Sequence, residues 1–246
     1  MRLTIDPSGK CNQACVFCYQ DSIDTLTYSQ VISFIDKYPS ATVVEIGGGE
    51  PFLYEGLETL VKNILNNGMA CHISTNASNL PDWLPKLEDD FRKNTSIQVS
   101  IHGSDRNVYQ RIHGKDHYDS AIKNTEVLKS LFHTSLVSVI CRDNFDDVEN
   151  LANLSHSMSL PHRINPVLPV GKGKDVVLSS TQIGLLRGKI FDLLTRGYSI
   201  DSSLLHENVC PVFDSASASN CLCSKAYLSP SGEEYKCEFS RGGKHD

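Results

Sequence analysis

The sequence predicts an α/β fold: a partial (β/α)6 barrel carrying a small C-terminal cysteine-rich β-hairpin extension. Three observations predict it. Six short apolar runs alternate with longer stretches whose apolar residues recur at spacings of three and four, the pattern of parallel strand–helix units. Within the short runs apolar and polar residues alternate. In a strand buried on both faces the run would be continuously apolar, so one face packs on helices and the other lines a polar lumen. Finally, most of the 9 cysteines crowd the two ends of the 246-residue chain.

The strands fall at residues 3–6, 42–47, 70–75, 97–102, 136–141 and 163–168. Helical spacing occupies residues 28–38, 57–65, 121–132 and 148–158, and a further helix region at 179–198 helps to cover the lumen. Polar turn residues at 76–79, 102–105 and 143–144 follow strand ends and can cap the next element. On the polar faces lie Thr4 and Asp6, Glu45, then His72, Ser74 and Asn76, then Gln98, Ser100 and His102. Residues 215–219 alternate Ser and Ala like a linker. Beyond them two short strand patterns flank Pro230-Ser231-Gly232, a hairpin signal. The organisation expected is a barrel core at 1–175, a helical connection at 176–208 and a cysteine-rich extension at 209–246.

Composition narrows the function classes. With 40% hydrophobic and 21% charged residues and a mean hydropathy of -0.23, the chain is neither disordered nor collagen-like. No apolar run approaches the roughly 18 residues of a membrane span, and the first residues lack the apolar core of a signal peptide. A net charge of -6 argues against a general grip on nucleic acid phosphates. An odd number of cysteines without an export signal points to a reducing cytoplasm and away from a disulfide scaffold. There, cysteines are more often metal ligands or catalytic groups.

After the first strand, Cys11, Cys15 and Cys18 form a C-x3-C-x2-C run followed directly by Tyr19. Three thiolates within eight residues suit an iron–sulfur cluster with one iron left without a protein ligand. The alternatives are a zinc site, which would need a fourth ligand, and incidental thiols. After the second strand comes Gly47-Gly48-Gly49-Glu50-Pro51, whose glycines let the backbone approach a ligand. Read alone, that segment is equally a tight turn. Both motifs follow strand ends, where barrels of this kind bind ligands.

Together these motifs resemble the radical S-adenosylmethionine (SAM) superfamily, over roughly residues 1–175. The resemblance implies a TIM-type partial barrel. It implies a [4Fe–4S] cluster on Cys11, Cys15 and Cys18, whose open iron binds the amino and carboxylate groups of SAM. Gly48, Gly49, Glu50 and Pro51 would meet the SAM amino group through their backbone, and Tyr19 would lie near the adenine. Ser74 and Asn76 match the family's third-strand ending, Ser100 and His102 the fourth-strand contacts to ribose or carboxylate, and Asn144 a further position near SAM. The segment 169–173 resembles a Pro-x-Gly-Arg motif with Lys172 in place of Arg. The implied chemistry is reductive cleavage of SAM to a 5′-deoxyadenosyl radical that abstracts a substrate hydrogen.

At the other end, Cys210, Cys221, Cys223 and Cys237 resemble a shortened SPASM or twitch extension. This implies an auxiliary [4Fe–4S] cluster on all four. Ligation by three with one thiol spare, a zinc site and unrelated thiols are the alternatives. A spare Cys223 near the radical would serve as a catalytic hydrogen donor. Cys71 and Cys141 read as small buried hydrophobes, Glu45 as an ordinary paired carboxylate. His113, His117, His133, His156 and His162 read as surface or loop groups. The expected activity is modification of a ribosomally made peptide by crosslinking, epimerisation or oxidation. Oxidation or rearrangement of a small molecule is the second reading, and a non-enzymatic iron–sulfur electron carrier the third. No segment precedes the first strand to recognise a peptide leader, so a separate leader-binding protein is an expected partner. Flavodoxin or ferredoxin is the expected electron donor.

Overall fold

The computed structural model describes residues 1–205 and 225–235. The predicted α/β fold is present. Six parallel strands follow one another in space as in sequence: β1 (Arg2–Ile5), β2 (Val43–Ile46), β3 (Ala70–Thr75), β4 (Thr95–Ser100), β5 (His133–Ile140) and β6 (His162–Pro166). The helices between them are α1 (Tyr28–Asp36), α2 (Leu57–Asn66), α3 (Asp89–Lys93), α4 (Arg106–His113), α5 (Tyr118–Leu131) and α6 (Val148–Ser157). After β6 come α7 (Ser180–Thr195) and β7 (Ile200–Asp201), which adds to β6 in parallel. On the opposite edge β8 (Lys225–Leu228) pairs in parallel with β1, and β9 (Glu234–Tyr235) returns antiparallel to β8. The predicted hairpin therefore extends the main sheet beside its first strand.

Period-two alternation builds the layers. Cys71, Ile73 and Thr75 of β3 are buried, whereas His72 and Ser74 are half-buried; β4 buries Thr95, Ile97 and Val99 and half-buries Ser96, Gln98 and Ser100. The apolar faces meet Phe34 of α1, Leu60 and Ile64 of α2, Leu128 of α5, Leu151 of α6 and Leu186 of α7 in one continuous core. Thr27 starts α1 with a capping box shared with Gln30, and Ser179 with Gln182 does the same for α7.

Two strands begin more than one residue earlier than predicted, at Thr95 and His133. Their first residues are polar and invisible to an apolar search, but they complete the ladder, Ser96 opposite His133. Two histidines correct the sequence reading, because His113 and His162 are buried, at 0% and 1% exposure. His162 opens β6, its Nε2 2.8 Å from the hydroxyl of Ser138 on β5. His113 is stacked face to face on Tyr109, with ring centroids 3.8 Å apart.

Candidate functional site

The segment after β1, residues 6–27, carries the three cysteines and is held from three sides. The glycine-rich turn after β2 holds the first side. Gly49 N–H donates to Ser8 O at 2.9 Å and Glu50 N–H to Lys10 O at 2.9 Å. A Cβ on Gly49 would stand 2.2 Å from Lys10 O, so only glycine lets these backbones meet. The end of α4 holds the second. Ala14 N–H donates to His113 O at 2.8 Å and Val16 N–H to Ile112 O at 3.0 Å. The turn after β6 holds the third, where Lys172 N–H donates to Cys18 O at 3.0 Å. Gly171 there has φ +53°, and a Cβ on it would meet Tyr19 Cα at 2.6 Å. Beneath the loop Val16 and Phe17 pack on a second apolar cluster of Ile112, Cys141, Val167 and Val176.

The loop so held borders a cavity of about 590 Å³ at the carboxyl ends of the strands. Of the residues singled out from sequence, Cys11, Cys15, Cys18, Tyr19, Gly48, Gly49, Ser74, Asn76, Ser100 and His102 line it. The polar strand faces thus form the predicted lumen. Glu45 lines it too, and is also paired as expected, accepting from Arg2 at 2.8 Å and from the Thr4 hydroxyl at 3.0 Å.

Three other selected residues do not face the cavity. Pro51 is buried, and Glu50, at 1% exposure, accepts from Phe52 N–H at 3.0 Å, the Thr75 hydroxyl at 2.7 Å and Asn76 N–H at 2.7 Å. It ties the glycine turn to the end of β3. Burial pushes its carboxyl up to about 7, against the pull of these three donors. The Asn144 amide accepts from Cys141 N–H at 2.8 Å and donates to His102 O at 2.8 Å and Val139 O at 3.0 Å. It fastens β4 to the turn after β5. Cys210, Cys221, Cys223 and Cys237 lie outside the described residues.

The donor set fits an iron–sulfur core. Asn76 Nδ2 approaches Cys11 Sγ at 3.9 Å, Gln13 N–H donates to the same sulfur at 3.4 Å, and His113 Nδ1 lies 3.9 Å from Cys15 Sγ. Polar N–H groups around sulfur are the usual surroundings of bound thiolates. Among the described residues no three His, Cys, Asp or Glu side chains gather around one position suited to a single metal ion. Burial, together with repulsion from the Cys18 and Cys11 thiolates, pushes the Cys15 thiol up to about 12. His102 is neutral, because burial pulls its imidazole down to about 3. Its Nδ1 accepts from Val139 N–H at 3.1 Å, which leaves the proton on Nε2.

Sequence reading missed Tyr109 and His113, which brace the loop from α4, and Gln13, which reaches from the loop to the Tyr109 hydroxyl. The signal was there: Asp105 caps α4 by accepting from Asn107 and Val108 N–H, and Gly114 ends it at φ +73°. Among the described residues no helix is long and apolar enough to cross a membrane.

The radical SAM superfamily model matches residues 5–155. The mycofactocin maturase MftC of Mycolicibacterium smegmatis is 29% identical over 184 residues, 71% of this chain and 46% of that protein. A probable GTP 3′,8-cyclase of Pyrobaculum aerophilum is 28% identical over 186 residues, 69% of this chain and 58% of that protein. The chain thus spans about half the length of these relatives. The crystal structure of Streptococcus suis SuiB bound to its precursor peptide SuiA superposes with a TM-score of 0.77 at 14% identity, covering 96% of this chain and 59% of that one.

Proposed function

The chain belongs to the radical SAM superfamily, and from that membership we propose that it is an enzyme abstracting a hydrogen atom from a peptide substrate. The observation that carries this reading is the convergence of the three-cysteine loop and the glycine turn on one polar cavity. Cys11, Cys15 and Cys18 would hold a [4Fe–4S] cluster. When bound, that cluster and SAM supply reductive cleavage of the sulfonium and the hydrogen-abstracting radical.

The chain's own residues orient and enclose. The N–H groups of Gly47, Gly49 and Glu50 are spent on backbone carbonyls of Ile5, Ser8 and Lys10. The carbonyl oxygens of this segment are suited to an ammonium group. Ser74 and Ser100 bring hydroxyls, Tyr19 an aromatic face, and His102 a neutral Nε2–H donor. The glycine contacts and the apolar cluster under Phe17 keep the cysteine loop rigid and exclude water from its base.

Two likenesses support a peptide substrate: MftC is named a maturase, and SuiB is seen with its precursor peptide. The likeness to a GTP cyclase favours a small-molecule substrate as the second reading. The C-terminal cysteines Cys210, Cys221, Cys223 and Cys237 are assigned to an auxiliary cluster; in the alternative with three ligands, Cys223 is the candidate spare thiol. The test is anaerobic reconstitution with iron and sulfide, then dithionite and SAM, with 5′-deoxyadenosine as the readout. About four irons per cluster are expected, hence about eight for two clusters, together with 5′-deoxyadenosine. Iron binding without 5′-deoxyadenosine, in the presence of candidate peptides and nucleotides, would return the chain to the electron-carrier class.

A further inference from the structure

The contact between Cys15 and His113 goes beyond holding a loop. We propose that His113 is a positioning residue that hydrogen-bonds the Cys15 sulfur through Nδ1–H and raises the potential at which the bound cluster accepts an electron. The inference rests on the reading above that Cys11, Cys15 and Cys18 hold a cluster.

The protonation pattern follows from the hydrogen bonds. His102 N–H donates to His113 Nε2 at 3.2 Å. A backbone amide can only donate, so Nε2 is an acceptor and carries no proton. The single proton of the neutral ring then sits on Nδ1, which lies 3.9 Å from Cys15 Sγ. The ring cannot easily turn away. It is stacked on Tyr109, with centroids 3.8 Å apart, and on His102, at 4.7 Å. Tyr109 is fixed in turn by Gln13, whose amide donates to its hydroxyl at 3.1 Å. The His113 carbonyl accepts from Ala14 N–H, next to Cys15. Side chain and main chain of one residue therefore address the same stretch of the loop.

The physical consequence has a definite sign. On one-electron reduction the cluster gains negative charge from an external reductant, with no bond made or broken and no proton moved. An N–H dipole aimed at a ligating sulfur stabilises the reduced form more than the oxidised one, so the potential rises. A weaker reductant then suffices.

The test uses the full chain, reconstituted anaerobically, with EPR-monitored titration of the cluster by dithionite. In His113→Phe, which keeps the stack on Tyr109 and removes Nδ1–H, the reduced-to-oxidised ratio at a fixed potential should fall about tenfold, or 59 mV for one electron. His113→Gln, which retains an N–H donor, should recover much of that loss. An unchanged midpoint in His113→Phe overturns the proposal. Should both variants fail to fold, the wild-type protein decides alone. Labelled with 15N-histidine, its reduced cluster should show nitrogen coupling and a deuterium-exchangeable proton in pulsed EPR, and their absence overturns the proposal. A wild-type chain that takes up no iron is a separate result, which removes the cluster reading and this inference with it.

Discussion

Glu50 is a carboxylate beside a binding cavity that acts by tying backbones together. Its three accepted hydrogen bonds join the glycine turn to Thr75 and Asn76. In Glu50→Gln an amide nitrogen must face either Asn76 N–H or the Phe52 and Thr75 donors. We expect a loss of about 1–3 kcal/mol, read as a lower denaturant midpoint. Gly49 fails differently. Its missing Cβ leaves the room that Lys10 O occupies, and the obstructing atom is backbone. Gly49→Ala should cost about 1–3 kcal/mol and displace the cysteine loop, so iron retained per chain after reconstitution should fall well below that of the wild-type protein.

Among the elements, α4 matters beyond its size. Eight residues long, it packs Tyr109 and His113 against the loop and offers its last carbonyls to Ala14 and Val16. Helix stability and site geometry are therefore linked. Asp105→Ala removes the cap that accepts from Asn107 and Val108 N–H. A fall of about 0.5–2 kcal/mol is expected in chemical denaturation. Hydrogen exchange should speed up at Ala14 and Val16 as well as within α4, and a change confined to α4 would separate the helix from the loop. The helix was partly legible in sequence, since Asp105, the spacing of Val108, Tyr109 and Ile112, and Gly114 all mark it. Its charged composition hid it among loops.

At the scale of the whole molecule, buried histidines set the response to acid. His102 and His162 are pulled by burial to about 3 from 6.5, and His113 also lies well below its ordinary value. Between pH 3 and 6.5 the unfolded chain binds protons that the folded chain refuses at these sites, so stability drops as pH falls through this window. Glu50 works the other way, because its carboxyl moves from 4.5 to about 7 and folding takes up a proton there. Three histidines outweigh one carboxyl, so the melting temperature should decline steadily as pH falls below about 6.5. A melting temperature that rises on acidification would refute this balance. The far edge offers a second check. The Tyr227 hydroxyl donates to Asp6 Oδ2 at 2.8 Å, joining β8 to the root of the cysteine loop. Tyr227→Phe should cost about 1–3 kcal/mol, the range for taking a partner from a buried polar group, by thermal unfolding.

The sequence by itself determined the strand–helix alternation, the polar lumen and the two motifs that border the cavity. Each is a local signal: a period of two or of about 3.6, a cysteine spacing, a glycine run. Tertiary structure alone decided which residues face the cavity and which hold it in place. Glu50 and Asn144 turn inward because backbone N–H and C=O groups left at strand ends need partners once water is excluded. His113 is buried because α4 folds back on a loop roughly a hundred residues earlier. Similarly, β8 joins β1 across nearly the whole chain. No local pattern encodes such pairings, since they arise where distant segments compete for the same hydrogen bonds and the same apolar surface.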